Sequence, residues 1–409
     1  MRLPLIFTLI MLLPALLTDV YIYFRVPVKG KLCGRTLATR KLYLCSAIVT
    51  NLLLVLCMCW PKRDADASIL PVMWILYTWA TIYIPKLVYI VFDLAGRIPQ
   101  LFKRKARPIG VWAGLPLAII IFIIMWYGAI FGRSQIMVSE VEIASPKVPE
   151  AFDGFRIVQF SDAHVGTWGT DLAFIQKLTD SINALKPDLV LFTGDLVNRR
   201  ANEAYPFIET LSGVKAKYGV YSIMGNHDYG DYANWPSEKE HLADAQELRN
   251  IQQKMGWHVL DNCHTFIKVG NDSIVLIGVE NWGEPPFKQY GNLDIAYPHN
   301  ERGEIKDDNF KILLTHNPMH WHEQVRHTTD IDLTLSGHTH AMQMMIGKPG
   351  TGWSPSAYKY PEWGGLYEYK SPVADNPIQI YVNIGCGEVG IPTRIGATPE
   401  LTLITLRHK

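Results

Sequence analysis

Long apolar stretches fill the first third of the chain, and shorter ones recur through the rest. Four of the long stretches have the length that a membrane-spanning helix needs, roughly 20 mostly apolar residues. They cover about Leu3–Phe24, Leu42–Trp60, Ile69–Leu94 and Ile109–Phe131. A cleavable signal peptide would account only for the first, and residues 14–19 offer no convincing small-residue cleavage site. The pattern therefore predicts an all-α region of four transmembrane helices over residues 1–132.

Basic residues in the loops between these stretches predict the orientation in the membrane. The first and third loops are basic, whereas the short second loop mixes bases and acids. The charges are Arg25, Lys29, Lys31, Arg35, Arg40 and Lys41, then Lys62, Arg63, Asp64 and Asp66, then Arg97, Lys103, Arg104, Lys105 and Arg107. Because positive loops stay in the cytoplasm, we expect a multi-pass protein of the cell (inner) membrane whose residues 133–409 lie outside the cytoplasm.

Three polar residues, Asp19, Asn51 and Lys86, fall within the apolar stretches. Such groups can mark a pathway through the membrane. Asp19 and Lys86 lie near the predicted cytoplasmic ends, however, where snorkelling is a sufficient explanation.

Overall charge and cysteine content narrow the class of protein. The formal net charge is +1, which argues against nucleic acid as a partner. Outside the membrane part only Cys263 and Cys386 remain. They do not make a disulfide framework, and the sequence leaves open whether they form one bridge.

After residue 132 the apolar runs become short, and several end in a glycine or a polar turn. They are Arg156–Phe160, Asp188–Phe192, Val220–Met224, Ser273–Gly278, Lys311–Leu314, Ile331–Leu335 and Ile378–Asn383. Helical patterns over Asp171–Leu185 and Glu238–Met255 lie between some of them. Continuous apolar strands with intervening helices predict an α/β domain over residues 133–409 with covered sheets. The long loops Asn281–Asp308 and Met342–Asn376 are expected to be lids or binding loops.

Metal-binding side chains follow five of these strands directly. They are Asp162 and His164, Asp195 and Asn198, Asn226 with His227 and Asp228, His316, and finally His338 and His340. Ligands bind at the carboxyl ends of the strands in open α/β sheets. Side chains two apart on an extended segment point the same way, so we expect Asp162/His164 and His338/His340 to be pairs that each grip one ion.

The types of side chain predict the metal. Two aspartates, one asparagine and four histidines are too rich in nitrogen for calcium and poorly suited to magnesium. They suit manganese, iron or zinc, of which manganese is our first choice. Seven side chains are too many for one ion that must also bind water. Two ions sharing a carboxylate can activate a bridging water and clamp the oxygens of an in-line displacement at phosphorus.

The ordered motifs D-x-H, GD-x-x-N, GNHD, a lone His and GH-x-H resemble those of the calcineurin-like metallophosphoesterases. The likeness covers about residues 135–409, and the lead-in AFDGF and the tail IPTRIGATPELTLITL are similar to the membrane-associated bacterial branch. The resemblance implies a four-layer α/β/β/α sandwich. The motif of the serine/threonine protein phosphatases, GD-x-V-D-R-G with GNHE, is absent from the sequence.

The same resemblance implies a role for each residue. It implies a first metal held by Asp162, His164, Asp195 and His340, and a second held by Asp195, Asn226, His316 and His338. It implies that His227 faces the leaving-group oxygen as a general acid, or stabilises the phosphoryl charge. Asn198 stands where many relatives have an aspartate that supports this histidine, and Asp228 is expected beside the ligands. Gly225 is expected to allow the sharp bend that brings Asn226 and His227 together.

Several further residues have two interpretations each. Arg199 and Arg200 either reach a substrate phosphate or form a solvated face. His320 and His322 are expected at the surface or next to the ligands, and Cys386 is expected to be a small buried residue. Six aromatic residues after GHTH either belong to the core or lie at the bilayer interface. They are Trp353, Tyr358, Tyr360, Trp363, Tyr367 and Tyr369.

The sequence thus predicts a membrane-anchored, two-metal hydrolase of phosphodiester or pyrophosphate bonds, with the lipid bilayer and a lipid-linked phosphoester as partners. One alternative is an enzyme resembling the UDP-diacylglucosamine pyrophosphohydrolases of lipid A synthesis. The predicted orientation argues against it, since that substrate is presented on the cytoplasmic side. The other alternative is a catalytically inactive membrane binding module.

Overall fold

The computed structural model of the chain describes residues 5–25, 33–60, 68–102, 105, 107–285, 288–298 and 309–409. These residues form two compact units, Met1–Ile130 with Gly390–Thr393, and Phe131–Val389 with Arg394–Lys409. Part of the evidence for orientation lies outside the described residues. It comprises Lys29, Lys31, Lys62, Arg63, Asp64, Asp66, Lys103 and Arg104. The same holds for much of the predicted loop 281–308.

The first unit is helical, as its composition predicts. Its helices are α1 (Leu5–Arg25), α2 (Cys33–Cys59), α3 (Leu70–Ala95) and α4 (Leu115–Ile130), the last preceded by a wider turn over Gly110–Gly114. Within the part of the chain that the structure describes, three helical segments are long and apolar enough to cross a membrane. These are Ala38–Met58, Leu70–Phe102 and Gly110–Ser134.

The polar residues of the first unit converge instead of reaching separately for the membrane surface. The Asp19 carboxylate of α1 accepts hydrogen bonds from Tyr43 and Asn51 of α2, at 2.7 and 3.0 Å. It also accepts from Tyr83 and Lys86 of α3, at 2.6 and 2.8 Å. Asp19 and Asn51 are both buried. The snorkelling explanation is therefore wrong, because a buried acid in an apolar region needs charged and polar partners more than it needs water.

The second unit contains two six-stranded sheets. The first has the order β1 (Met137–Ser145), β12 (Glu400–His408), β2 (Arg156–Phe160), β3 (Leu189–Phe192), β4 (Val220–Ser222) and β5 (Trp257–Val259). The second has the order β10 (Gly365–Tyr369), β11 (Ile378–Val382), β9 (Leu333–Ser336), β8 (Lys311–Leu314), β7 (Asp272–Gly278) and β6 (Cys263–Val269). Strands β2, β3 and β4 are mutually parallel, as are β7, β8 and β9.

Helices cover the outer faces of both sheets. Over the first sheet lie α5 (Ala173–Ala184), α6 (Ile208–Ser212) and α7 (Glu238–Lys254). Over the second lie α8 (Leu293–Ala296) and a helical segment in three parts, Pro318–His320, Trp321–Val325 and Arg326–Thr328. The inner faces meet in one apolar core that includes Ile157 and Leu191 from the first sheet and Leu276 and Leu335 from the second. The predicted α/β/β/α sandwich is therefore confirmed.

Alternation along the strands accounts for this layering. In β2, Ile157 points into the core between the sheets, whereas Val158 points into the core under the helices. Because both faces of the strand are buried, its sequence reads as an uninterrupted apolar run. Cys263 and Cys386, left open by the sequence, are both free thiols.

Candidate metal centre

The side chains predicted to bind metal lie at the carboxyl ends of five strands, three in the first sheet and two in the second. Asp162 and His164 follow β2, Asp195 follows β3, Asn226 follows β4, His316 follows β8, and His338 and His340 follow β9. The two sheets present these ends to one another, since the His316 ring lies 3.1 Å from the Asp195 carboxylate. Five of the seven are buried, and Asn226 and His338 are partly exposed.

The backbone at the site is strained in a way that the sequence did not indicate. Five of the candidate ligands have left-handed backbone angles, with φ between 40° and 74°. They are Asp162, His164, Asp195, His338 and His340. Residues other than glycine rarely adopt left-handed backbone angles, and such strain concentrates at functional sites. Asp162 and His164 do fall in one group, as we predicted, but the expected pairing of His338 with His340 is wrong. His338 and His340 turn towards different groups of ligands.

The first group consists of Asp162, His164 and His340, all buried. The His340 Nε2 atom lies 3.1 Å from Oδ1 of Asp162 and 3.1 Å from Nε2 of His164. Two ligand atoms bound at about 2.1 Å to a common ion stand about 3.0–3.4 Å apart, depending on the angle between them. The spacing within this group therefore fits a shared cation.

The second group consists of Asp195, His316 and His338. His316 Nε2 lies 3.1 Å from Asp195 Oδ2 and 3.3 Å from His338 Nδ1. Asp195 Oδ2 also lies 3.6 Å from the His164 Nε2 atom of the first group. Asp195 is thus within ligand distance of both groups, as a bridging carboxylate requires.

The hydrogen bonds of two ligand rings, and the position of Asn226, leave atoms available to bind metal ions. Nδ1 of His164 donates to the Val197 carbonyl at 3.0 Å, and Nδ1 of His316 donates to the Thr193 carbonyl at 2.8 Å. These bonds leave the Nε2 lone pairs free for a metal. Asn226 Oδ1 is buried and has no hydrogen-bond partner among the described residues, a cost that a metal ion would remove.

Charge is unevenly distributed over the site. Burial raises the pKa of each aspartate, but the neighbouring imidazoles more than offset this and hold the pKa of Asp162 and of Asp195 below the usual range. Burial and His316 lower the pKa of His338 to about 3. For His316 burial acts in the same direction, yet Asp195 raises its pKa to about 10. A cation binding at His316 must therefore displace a proton.

His227 lies beside both groups and completes a third cluster with His164 and Asp195. Its Nδ1 donates to the backbone carbonyl of Asn198 at 2.6 Å, which leaves Nε2 available. The Asn198 side chain instead bonds Thr167 and the Glu388 carbonyl. The backbone at position 198 therefore holds the His227 ring in this chain, where many relatives have an aspartate side chain for that role.

Asp228 and Gly225 shape the loop that presents Asp195. The Asp228 carboxylate accepts four backbone N–H bonds, from Asp195, Leu196, Val197 and Gly225, at 2.8 to 3.2 Å. A Cβ atom at Gly225 would lie 2.2 Å from Oδ1 of Asp195. Its φ is not positive, so Gly225 is required for this close approach and not for an unusual backbone angle.

Two tyrosines contact the candidate ligands, and the sequence did not identify them as such. Tyr232 Oη accepts from Asn226 Nδ2 at 3.0 Å, and its ring stacks on His227 at 4.2 Å. Tyr360 Oη lies 3.0 Å from His338 Nε2. Tyr360 was among the aromatic residues that we assigned to either the core or the bilayer, and the repeated tyrosines of NHDYGDY were the available signal for Tyr232.

A small cavity of about 150 Å³ opens beside these residues. Its wall includes Asn226, His338, Tyr232, Tyr360, Trp282 and Lys359. Two larger cavities, about 590 Å³ each, are lined by residues of the helical unit and include none of the candidate ligands. Among the described residues, the small cavity thus has candidate ligands, Asn226 and His338, in its wall.

The other charged candidates are occupied elsewhere. Arg199 lies 3.4 Å from the Glu203 carboxylate, and Arg200 lies 3.8 Å from that of Asp244. His322 pairs with Glu362 at 2.9 Å. His320 is fully buried, between the Thr315 hydroxyl and Gln324. None of these side chains belongs to the groups that can hold a metal.

Comparison with known proteins identifies the family to which the chain belongs. Residues 155–342 match the family described as calcineurin-like phosphoesterase. Residues 1–133 match the family described as probable calcineurin-like phosphoesterase, transmembrane domain. These matches define a membrane-bound phosphoesterase whose family implies divalent metal ions.

Full-length relatives extend the match. A "Transmembrane protein with metallophosphoesterase domain" from Danio rerio is 30% identical over 96% of this chain and 87% of its own length. "Uncharacterized metallophosphoesterase YkuE" from Bacillus subtilis (strain 168) is 32% identical over 67% of this chain and 86% of its own length. Among solved structures, the Haemophilus influenzae NAD nucleotidase is similar with a TM-score of 0.38 at 15% identity, covering 57% of this chain and 45% of that one. The chain belongs to the calcineurin-like metallophosphoesterases and is a transmembrane, metal-dependent phosphoesterase.

Proposed function

We propose that the chain uses two divalent transition-metal ions to hydrolyse a phosphodiester or pyrophosphate bond in a lipid-linked substrate. The observation that supports two ions best is the position of Asp195. Its carboxylate lies within 3.6 Å of His164 on one side and 3.1 Å of His316 on the other. Asp162, His164, Asp195 and His340 would hold one ion, and Asp195, Asn226, His316 and His338 the other.

The metal ions would supply an activated water as the nucleophile and neutralise charge on the phosphoryl group. Imidazole and carboxylate ligands suit manganese, iron or zinc, and manganese is our first choice. The chain's own residues orient these ligands. Backbone carbonyls hold the His164 and His316 rings, and the four N–H groups around Asp228 hold the loop of Asp195.

His227 is the proposed general acid. Its Nδ1 proton is engaged by the Asn198 carbonyl, so that in the protonated ring the Nε2–H is the group left to donate to the departing oxygen. The Tyr232 ring, stacked on His227 with an angle of 15° between the planes, restricts its rotation. The Tyr232 hydroxyl accepts from Asn226, which leaves its own proton available for a substrate oxygen.

The transmembrane helices and the small cavity support a lipid-linked substrate. A membrane anchor gives no evident advantage for a freely soluble substrate, whereas it holds the enzyme beside a lipid. The cavity of about 150 Å³ is smaller than the 300–1,000 Å³ or so of drug-sized ligand sites. It suits a small polar group next to the phosphorus atom, with the remainder of the substrate outside.

We call the second unit, Phe131–Val389 with Arg394–Lys409, the catalytic unit. Loop charge supports an anchor in the cell (inner) membrane with this unit outside the cytoplasm. A reporter fused after Lys409 tests this, using one that is active only outside the cytoplasm and another that is active only inside. Activity of the cytoplasmic reporter would reverse the orientation and would favour an enzyme resembling the UDP-diacylglucosamine pyrophosphohydrolases.

Substitution of the shared carboxylate tests the chemistry. Asp195→Ala should lose bound metal and all turnover, measured by elemental analysis and by hydrolysis of a panel of lipid and nucleotide phosphoesters. Asp180→Ala, on the exposed face of α5, is the matched control and should retain both. Full activity of Asp195→Ala would refute the two-metal mechanism, and tightly bound metal in the native chain without hydrolysis of any phosphoester would favour a binding module.

A further inference from the structure

The segment that follows the last candidate ligand has an unusual surface. Exposed and buried residues alternate from Met342 to Ile346, and the exposed positions are apolar. Met342, Met344 and Ile346 are 50%, 39% and 65% exposed, whereas the intervening Gln343 and Met345 are buried. Where exposed and buried positions alternate at a water-facing surface, the exposed ones are normally polar.

The same surface continues through the following turn. Backbone bonds of 2.9 Å in both directions join Ile346 to Trp353, and the Trp353 ring contacts the Tyr358 ring with centroids 6.3 Å apart. Trp353 is 42% exposed and Tyr358 is 86% exposed. We call residues 342–359 the apolar loop. The pairing of Ile346 with Trp353 fixes this part of the backbone while both large apolar side chains remain exposed.

Elsewhere in the catalytic unit, large exposed apolar side chains are scattered. Leu242 on α7 and Ile295 on α8 are examples, 60% and 66% exposed. Single exposed apolar residues are ordinary, whereas a group of them marks an interaction surface. The concentration of five in the apolar loop therefore needs a partner.

Charge and residue type indicate which partner. The apolar loop contains Lys348 and Lys359 but no aspartate or glutamate. Lys359 lies 3.8 Å from Glu284, outside the loop. Tryptophan, tyrosine and lysine beside aliphatic side chains are the residues found at membrane–water interfaces, where lysines are attracted to anionic lipids. The transmembrane helices of the same chain anchor it in a bilayer.

We propose that the apolar loop is a membrane-docking surface, which inserts Met342, Met344, Ile346, Trp353 and Tyr358 into the headgroup region of an anionic bilayer. Lys359 and the adjacent Tyr360 line the cavity beside the metal centre. Docking therefore brings the mouth of that cavity to the lipid surface. The proposal goes beyond the hydrolytic function and does not require that any particular bond is cleaved.

Quenching by spin-labelled lipids tests the docking on the full-length chain in proteoliposomes of phosphatidylcholine and phosphatidylglycerol. An environment-sensitive fluorophore is attached to Ile346→Cys, and in a second variant to Tyr358→Cys. Leu242→Cys, at similar exposure on α7, is the matched control. The parent chain, reacted in parallel, gives the background from native cysteines.

The labels at positions 346 and 358 should emit at shorter wavelength and lose most of their emission when doxyl-labelled lipid is included. The label at position 242 should keep its emission and remain sensitive to aqueous iodide. Equal behaviour of all three labels would overturn the proposal. So would shielding of the loop labels from both quenchers, which would indicate a protein partner. Because the measurement needs no turnover, it separates docking from any failure of the proposed hydrolysis.

Discussion

The hydroxyl oxygen of Tyr360 lies 3.0 Å from Nε2 of His338, on the side of the ring opposite the metal centre. Since His338 Nδ1 faces His316 Nε2 at 3.3 Å, a bond from Nε2–H to Tyr360 would leave the Nδ1 lone pair for a metal. Partners of this kind fix the tautomer and the orientation of a ligating histidine. Tyr360 is therefore a positioning residue for the second group of ligands.

Tyr360→Phe should weaken metal retention at the His338 side by about tenfold, the lower end of what such losses cost. During titration with a chelator, one of the two ions should leave before the other. In manganese-loaded protein, the electron paramagnetic resonance spectrum should change from a coupled pair to a single ion. Tyr358→Phe is the matched control in the same loop, since Tyr358 is 86% exposed. Equal retention of both ions in the two variants would exclude this role.

Gly225→Ala should remove metal binding and also lower stability, because the added Cβ meets backbone as well as the bridging carboxylate. The added Cβ would lie 2.2 Å from Oδ1 and 2.5 Å from the backbone nitrogen of Asp195, so the bridging carboxylate must move. Elemental analysis after dialysis should show metal loss. Gly256→Ala is the control, because Gly256 has φ of 81° and no described atom within 4 Å of an added Cβ. It should cost about 1–2 kcal/mol of stability and keep the metal, whereas metal retention by Gly225→Ala would contradict the steric argument.

The sequence predicted the parts of the site that depend on local structure. The runs Arg156–Phe160 and Lys311–Leu314 are strands with those bounds, because strands buried on both faces give continuous apolar runs. The polar turns follow these strands directly in the sequence, so their positions could be predicted in the same way. Strand β1 was missed because its burial alternates along an exposed edge, and our search favoured continuous runs.

Contacts between distant segments could not be predicted in this way. Nothing near position 360 indicates a bond to His338, since the segment between them has no regular periodicity to fix its register. The left-handed angles of His338 and His340 likewise depend on the tertiary structure. Without it, the simple expectation of alternation paired the wrong histidines.

Protonation of the buried His320 should make the catalytic unit less stable as the pH drops. Burial lowers the pKa of His320 to about 4, although Gln324 opposes this, whereas an unfolded histidine titrates near about 6.5. Between these values the unfolded chain binds a proton that the folded chain does not. The contribution of His320 alone to the free energy of unfolding should thus fall by about 1.4 kcal/mol per pH unit as the pH drops through this window.

The contribution of His320 can be isolated by comparing variants. In His320→Gln, the thermal midpoint in detergent should depend less steeply on pH between about 6.5 and 4. His258→Gln, at an exposed position, should retain the slope of the parent chain. If His320→Gln also kept the parent slope, the titrating group would lie elsewhere.

The membrane helices offer a test of buried charge. Lys86 Nζ lies 2.8 Å from Asp19 Oδ1, and both side chains are largely shielded. Removing one partner of such a pair typically costs about 3–5 kcal/mol, because the other charge stays buried without compensation. Asp19→Ala should be more damaging than Lys86→Met, since it also leaves the Tyr43 and Tyr83 hydroxyls without the carboxylate that accepts from them.

Combining the substitutions separates the ion pair from its surroundings. The double variant Asp19→Ala/Lys86→Met should be more stable than Asp19→Ala alone, because the second change removes the uncompensated cation. Thermal midpoints of the detergent-solubilised chain give the comparison. Ser46→Ala, at an exposed position on α2, should match the parent. If the two losses simply added in the double variant, Asp19 and Lys86 would not be energetically coupled, and the network would have to be stabilised by its neutral hydrogen bonds.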